Sequence, residues 1–189
     1  MGKILAIIGS PRRGGNTDIL AGRVLDGARA AGADTEPVYL GDLTIRECDG
    51  CHACWAGGEC PKRDDMNALY PKIAAAAGLV LATPVYWYGP TALLKGFVDR
   101  LAYYNCDRNR PGVRGKCAAV VVPYEENDPE TVAPVTAFFA RTLRYLEMEP
   151  AGAVTVGGLA GKGQVLARAD ALQAAFALGR ALAAGPQGR

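Results

Sequence analysis

The chain has 189 residues, 50% of them apolar and 21% charged, with a formal net charge of +2. That length suits one full α/β domain around a single core; the composition excludes a disordered or coiled-coil chain, and so small a charge gives nucleic-acid binding no support. The longest apolar stretch, Ile73 to Pro84, is too short to span a bilayer and is broken at Gly78, and the chain opens on a strand with no charged-then-apolar leader, which points to a cytoplasmic protein without a membrane partner.

In chain order, the apolar run Lys3–Ile8 predicts a buried strand, and Thr17–Ala31 a helix with Asn16 or Thr17 as its cap. Thr35–Leu40 reads as a second strand. An irregular, cysteine-rich insertion follows, about residues 41–64. Asp65–Ala77 is helical, Leu79–Thr83 a third strand, and Pro90–Tyr104 a helix with proline in its first turn, where the missing N–H costs little. Lys116–Val122 is the fourth strand, Asp128–Leu146 a helix capped by Asp128, Ala153–Val156 the fifth strand and Val165–Ala184 the closing helix, with a frayed tail from Gly185 to Arg189. Near-continuous apolar strands alternating with helices predict a parallel sheet covered on both faces. We read residues 1–189 as one α/β domain, a doubly wound five-stranded sheet in the order 2-1-3-4-5, with its ligand at the carboxyl ends of strands one and three.

Two loops at those strand ends carry chemistry. The first, Gly9-Ser10-Pro11-Arg12-Arg13-Gly14-Gly15-Asn16-Thr17, joins strand to helix. Its amides and the positive end of the helix dipole form an anion cradle. Ser10, Asn16 and Thr17 add donors, and Arg12 and Arg13 add charge. No lysine follows the glycines, so the nucleotide-hydrolysing pattern is absent, and there is no G-x-G-x-x-G. Many short donors suit a terminal monophosphate. The second loop is Thr83-Pro84-Val85-Tyr86-Trp87-Tyr88-Gly89-Pro90. Pro84 and Gly89 fix its backbone around three aromatics, a surface against which a flat ring system could lie.

Gly9-Ser10-Pro11-Arg12 with Asn16-Thr17, then Thr83 to Trp87 with Lys95-Gly96-Phe97-Val98-Asp99-Arg100, resembles the NAD(P)H-dependent FMN reductase branch of the flavodoxin-like flavoproteins over nearly the whole chain. The resemblance implies bound FMN, its phosphate on Ser10, Arg12, Asn16 and Thr17 and its isoalloxazine against Pro84, Val85, Tyr86, Trp87, Tyr88 and Gly89. NAD(P)H would be the co-substrate, and flavin N5 would carry the chemistry without a catalytic side chain. It also implies a homodimer or homotetramer, with Tyr86 to Tyr88 or Tyr103-Tyr104 at the contact, and places Lys95 to Arg100 in that contact as structural residues. It further implies a flavin contact from a third segment, Pro123-Tyr124-Glu125-Glu126-Asn127-Asp128-Pro129-Glu130, which here departs from the small residues and glycines of relatives. Its carboxylates read as a solvated, helix-capping loop; near the ring they would lower the flavin potential.

Four of the six cysteines are crowded as Cys48-x2-Cys51-x2-Cys54-x5-Cys60. Such crowding in a reducing compartment points to metal or redox chemistry rather than a disulfide framework. The spacing resembles the compact motif of iron-sulfur flavoproteins, which implies a [4Fe–4S] cluster on these four residues. Free thiols, a zinc ion and a redox disulfide stand beside it as alternatives, since cluster-free reductases carry a similar segment ending like Asp64-Asp65-Met66. His52 reads as exposed, and Trp55 as covering the cysteine loop or lining the flavin pocket. The sequence therefore predicts an FMN-dependent oxidoreductase passing electrons from NAD(P)H to free flavin, a quinone, a protein acceptor or the cluster. The alternatives are an iron-sulfur electron carrier with no nicotinamide step, and a zinc-stabilised interaction module with no redox role.

Overall fold

The computed structural model describes residues 2–185. Their strands β1 (Lys3–Ile8), β2 (Asp34–Tyr39), β3 (Gly78–Ala82), β4 (Cys117–Pro123) and β5 (Glu149–Val156) form one parallel sheet in the order β2-β1-β3-β4-β5. The helices are α1 (Asn16–Ala30), α2 (Met66–Ala75), α3 (Ala92–Arg100), α4 (Pro129–Tyr145) and α5 (Ala169–Ala184). Strand side chains alternate between two cores. Leu5, Ile7, Leu79, Leu81 and Val120 meet Met66, Ile73, Phe97 and Phe139 of α2 to α4. Ile4, Ala6, Ile8, Val80 and Val121 meet Leu20, Val24, Leu178 and Leu182 of α1 and α5. Period-two burial on both faces is what made each strand read as an unbroken apolar run.

Helices α1 and α5 touch backbone to backbone. A methyl group on Gly27 would sit 1.9 Å from the Phe176 carbonyl oxygen, and one on Gly179 would sit 1.9 Å from that of Val24. The crossing therefore requires glycine on both helices.

Three boundaries differ from the sequence expectation. Strand β5 begins at Glu149, not Ala153, and takes in Pro150 and Gly152. It is an edge strand with a register shift opposite Ala118 and Ala119, which is where a sheet tolerates proline. The expected helix from Pro90 starts later, at Ala92, capped by the Thr91 side chain accepting from the Leu94 amide, and tightens into a 3₁₀ turn over Leu101–Asn105. The closing helix is preceded by a 3₁₀ turn at Gln164–Ala167. The insertion holds only a short 3₁₀ turn at Ala53–Ala56 and the end of another at Leu40–Asp42. Of the tail expected to fray, residues 186–189 lie outside the described residues. Among the described residues no helix is long and apolar enough to cross a membrane.

Candidate functional site

The sheet order reverses between β1 and β3, and the loops leaving their carboxyl ends enclose a pocket. Gly9 continues β1 by donating its amide to the Ala82 carbonyl at 2.8 Å. It then lies so close to α3 that a Cβ there would fall 2.6 Å from Leu94 Cβ. The Thr91 hydroxyl, which caps α3, also donates to the Gly9 carbonyl at 2.7 Å. One threonine thus fastens the first loop to the helix that follows the second.

Helix α1 is capped by Gly15 with no side-chain bond, not by Asn16 or Thr17, both of which lie inside its first turn. Among the described residues nothing accepts from the amides of Asn16, Thr17 and Asp18. Asn16 and Thr17 line the pocket, so their orphan donors and the dipole end lie at its wall. Ser10 and Thr17 are buried at its floor, and the Ser10 hydroxyl accepts from the Arg12 amide at 3.2 Å. Arg12 lines the pocket, whereas Arg13 turns away to pair with Asp42 and cover the Tyr39 ring. Asn16 lines the pocket too, but its side chain is committed elsewhere. Its amide nitrogen donates to the carbonyls of Leu159 (3.3 Å) and Gly161 (2.9 Å), and its oxygen accepts from the Val165 amide at 3.1 Å.

The second loop supplies Pro84, Val85 and Tyr86 to the opposite wall. Tyr86 and Gly89 exchange backbone hydrogen bonds of 2.9 and 3.0 Å around Trp87 (φ 49°) and Tyr88 (φ 60°). Two consecutive left-handed residues make a type I′ turn, which favours Asn and Gly, so a tryptophan and a tyrosine there are strained. The turn throws Trp87 outward, 96% exposed. Trp87 and Tyr88 border a neighbouring hollow with Glu126 and Thr131, and Gly89 only closes the turn. Of the ten residues expected at the flavin, the structure gathers Ser10, Arg12, Asn16, Thr17, Pro84, Val85 and Tyr86 in one pocket and leaves Trp87, Tyr88 and Gly89 outside it.

Two further segments complete the walls, and the family resemblance implied the first of them. Pro123, Tyr124 and Glu125 come from the departing loop after β4, and Leu159, Ala160 and Lys162 from the loop after β5. The carboxylates of the former divide: Asp128 caps α4 by accepting from the Glu130 amide, while Glu125 faces the pocket. Lys162 was legible in principle. Gly161-Lys162-Gly163 after a strand repeats the grammar of the first loop.

The four cysteines form a second, separate site. Cys48, Cys51, Cys54 and Cys60 line one cavity of about 70 Å³ together with Trp55, Tyr70 and Arg100. All six cysteines are free thiols. Burial pushes the Cys54 thiol up, and the neighbouring Cys60, Cys48 and Cys51 push it the same way. Among the described residues no three His, Cys, Asp or Glu side chains converge as a site for one metal ion. Soft sulfur donors sharing a small cavity fit a thiolate-held cluster in kind. Trp55 covers this loop rather than the flavin pocket, stacked on His52 at 3.9 Å and donating its indole N–H to the Ala102 carbonyl at 2.9 Å.

Arg100 is not a surface contact residue. Its side chain is 1% exposed and pairs with Asp64, 2% exposed, at 2.6 Å. It also donates to the Cys60 sulfur (3.3 Å) and the Arg46 carbonyl (2.9 Å). Burial alone would raise the Asp64 carboxyl, but its hydrogen bonds with Arg100 and the Arg46 amide win and hold it below the usual range. Lys95 and Asp99 instead form an exposed pair one turn earlier. Tyr104 is core and so is withdrawn from the subunit contact expected of it, while Tyr103 is half-buried and stacked on Tyr70.

Residues 2–132 match the model of the NADPH-dependent FMN reductase family. The chain belongs to that family. It is 35% identical over 162 residues to an iron-sulfur flavoprotein of Archaeoglobus fulgidus, covering 85% of this chain and 71% of that protein. It is 32% identical over 181 residues to a putative NAD(P)H-dependent FMN-containing oxidoreductase of Bacillus subtilis, covering 93% and 96%. Among solved structures it resembles the Trp repressor binding protein of Bacillus subtilis, with a TM-score of 0.71 and 28% identity over 93% of this chain and 98% of that one. The FMN reductase reading of the sequence and its doubly wound sheet order are thus shown, and the chain is an FMN-dependent oxidoreductase of this family.

The pocket suits FMN on its own residues. A doubly hydroxylated floor, orphan amides and two cations lie at one end. The backbone and aromatic edge of Pro84 to Tyr86 form another wall, with Tyr124 beside them, so the lining offers polar donors for a head group and a flatter, more apolar face for a ring.

Proposed function

We propose that this family member binds FMN with its phosphate on the amides of residues 16–18 and the hydroxyls of Ser10 and Thr17, and its ring system along Pro84, Val85 and Tyr86. The observation that carries the reading is the set of unaccepted amides at the start of α1, at the wall of the same pocket that the second loop lines. FMN, when bound, supplies hydride and single-electron chemistry, with NAD(P)H as donor. The chain's own residues bind and orient it: Arg12 neutralises the phosphate, Tyr86 and Tyr124 exclude water from the ring, and Glu125, next to Tyr124 in the same wall, places negative charge near it. We assign Cys48, Cys51, Cys54 and Cys60 to a [4Fe–4S] cluster, supported by their common cavity and by the iron-sulfur name of the Archaeoglobus relative. The acceptor is a small molecule or a protein. The exposed tip of Trp87 and Tyr88 supports assembly into a homo-oligomer, with this turn in the contact.

The test is an anaerobic absorption spectrum with iron and sulfide assays, followed by addition of NADH, NADPH and then dithionite. Flavin bleached by either nucleotide supports the reductase. Flavin bleached only by dithionite favours the second reading, a carrier fed by a protein partner, for which the cysteine cavity is the specific observation.

A further inference from the structure

The cations near the first loop are not equivalent. Arg13 is taken by Asp42. Arg12 and Lys162 line the pocket, and among the described residues neither has an acceptor. Lys162 arrives from the far end of the chain, yet its side chain lies over the first loop. A methyl group on Gly14 would sit 3.6 Å from its Cε and 3.8 Å from its Nζ. What holds it there is Asn16. The three bonds from the Asn16 amide group to Leu159, Gly161 and Val165 span the loop that bears Lys162. Gly161 is pinned again by its amide donating to Gln164 Oε1 at 2.7 Å.

We propose that Lys162 is a specificity-determining residue for the flavin phosphate, a second cation closing over it from the side opposite the helix amides, and that Asn16 is the positioning residue that sets it there. Asn16 then acts on the phosphate through the Lys162 loop and its own backbone amide, not through its side chain. A lysine ammonium suits this task as a compact charge on a flexible stem, able to reach any oxygen a terminal phosphate presents. The consequence is discrimination: the contact is made to FMN and not to riboflavin, which shares the ring and ribityl chain but lacks the phosphate. This inference rests on the FMN reading of the pocket.

The test is a fluorescence-quenching titration of FMN and of riboflavin into the full chain freed of flavin. Lys162→Ala should weaken FMN about tenfold, the loss of one charge-assisted contact, while riboflavin changes by less than about twofold. Lys162→Arg should restore most of the FMN affinity. Asn16→Ala should lower FMN affinity in the same direction with riboflavin and the circular dichroism spectrum unchanged, and raised salt should narrow the gap between wild type and Lys162→Ala. If Lys162→Ala leaves FMN affinity unchanged, Lys162 is a solvated lysine and the proposal fails. If both flavins weaken equally, the loop is only structural and it fails as well. A wild-type chain that binds neither flavin overturns the flavin reading itself, and this proposal with it.

Discussion

The flavin pocket and the cysteine cavity are built in opposite ways. The pocket is assembled by topology: four separate strand ends each deliver a short loop to one place, and the Thr91 and Asn16 side chains bolt those loops together. The cysteine cavity is assembled locally, from a single loop of consecutive turns in which His52 and Gly57 adopt left-handed backbone. Its principal tie to the core is the buried Asp64–Arg100 pair with the Cys60 sulfur. The first region is finished before its ligand arrives, with donors aimed and unpaired. The second has its four sulfurs around one cavity without drawing any three His, Cys, Asp or Glu side chains into a single-ion site among the described residues. Preorganisation follows from where the contacts originate: a site made by the sheet inherits the rigidity of the sheet, while a site made by a loop depends on its anchor.

The largest effect tests that anchor. Arg100→Met should destabilise the fold by about 3–5 kcal/mol in denaturant unfolding, because it strands the buried Asp64 carboxylate. The double variant Arg100→Met with Asp64→Leu should recover much of the loss. A cost below about 1 kcal/mol would mean the pair behaves as a surface one. The same pair sets an acid limit. Its carboxyl titrates below the ordinary 3.8 in the folded chain, so its contribution is complete above that pH and lost as pH falls through the depressed value. Wild type should therefore lose stability on acidification below about pH 4 more steeply than the double variant.

Independence of the two sites comes next. Cys54→Ser should abolish bound iron and sulfide while leaving FMN stoichiometry at one per chain. Loss of both together would break the comparison. Within the pocket, Thr17→Val should weaken FMN about five- to tenfold, by removing one hydroxyl donor from a buried floor, with the fold intact. The smallest effect is electrostatic. Glu125→Gln should raise the two-electron flavin potential by about 20–40 mV, since a carboxylate beside the ring disfavours the added negative charge. An unchanged potential would place Glu125 out of reach of the ring.

How much of this could be read from residues alone follows the same division. Sheet order, both strand-end loops and the cysteine spacing were legible, because apolar period, glycine-rich turns and C-x2-C repeats are local patterns. The role of Asn16 was misjudged for a physical reason. An asparagine beside a helix start is usually a cap, and only the fold brings Leu159 to Val165 within its reach. Trp87 and Tyr88 looked like a stacking platform because aromatics between proline and glycine suit a flat ring. That a left-handed turn sets both outside the pocket lined by Pro84, Val85 and Tyr86 could not be read from residues that normally avoid such a turn. Arg100 read as a surface residue because it follows the exposed Lys95–Asp99 pair by one position, and its partner Asp64 is 36 residues away. Lys162 was missed because, although its Gly-Lys-Gly setting is a local pattern, its nearness to the first loop is a property of the sheet order.

The most direct test of the account is a crystal structure of the FMN-loaded protein. It should show the phosphate against the amides of residues 16–18 and between Arg12 and Lys162, with the isoalloxazine along Pro84 to Tyr86. A phosphate bound elsewhere, or a ring seated on Trp87 or beside Tyr70, would contradict it.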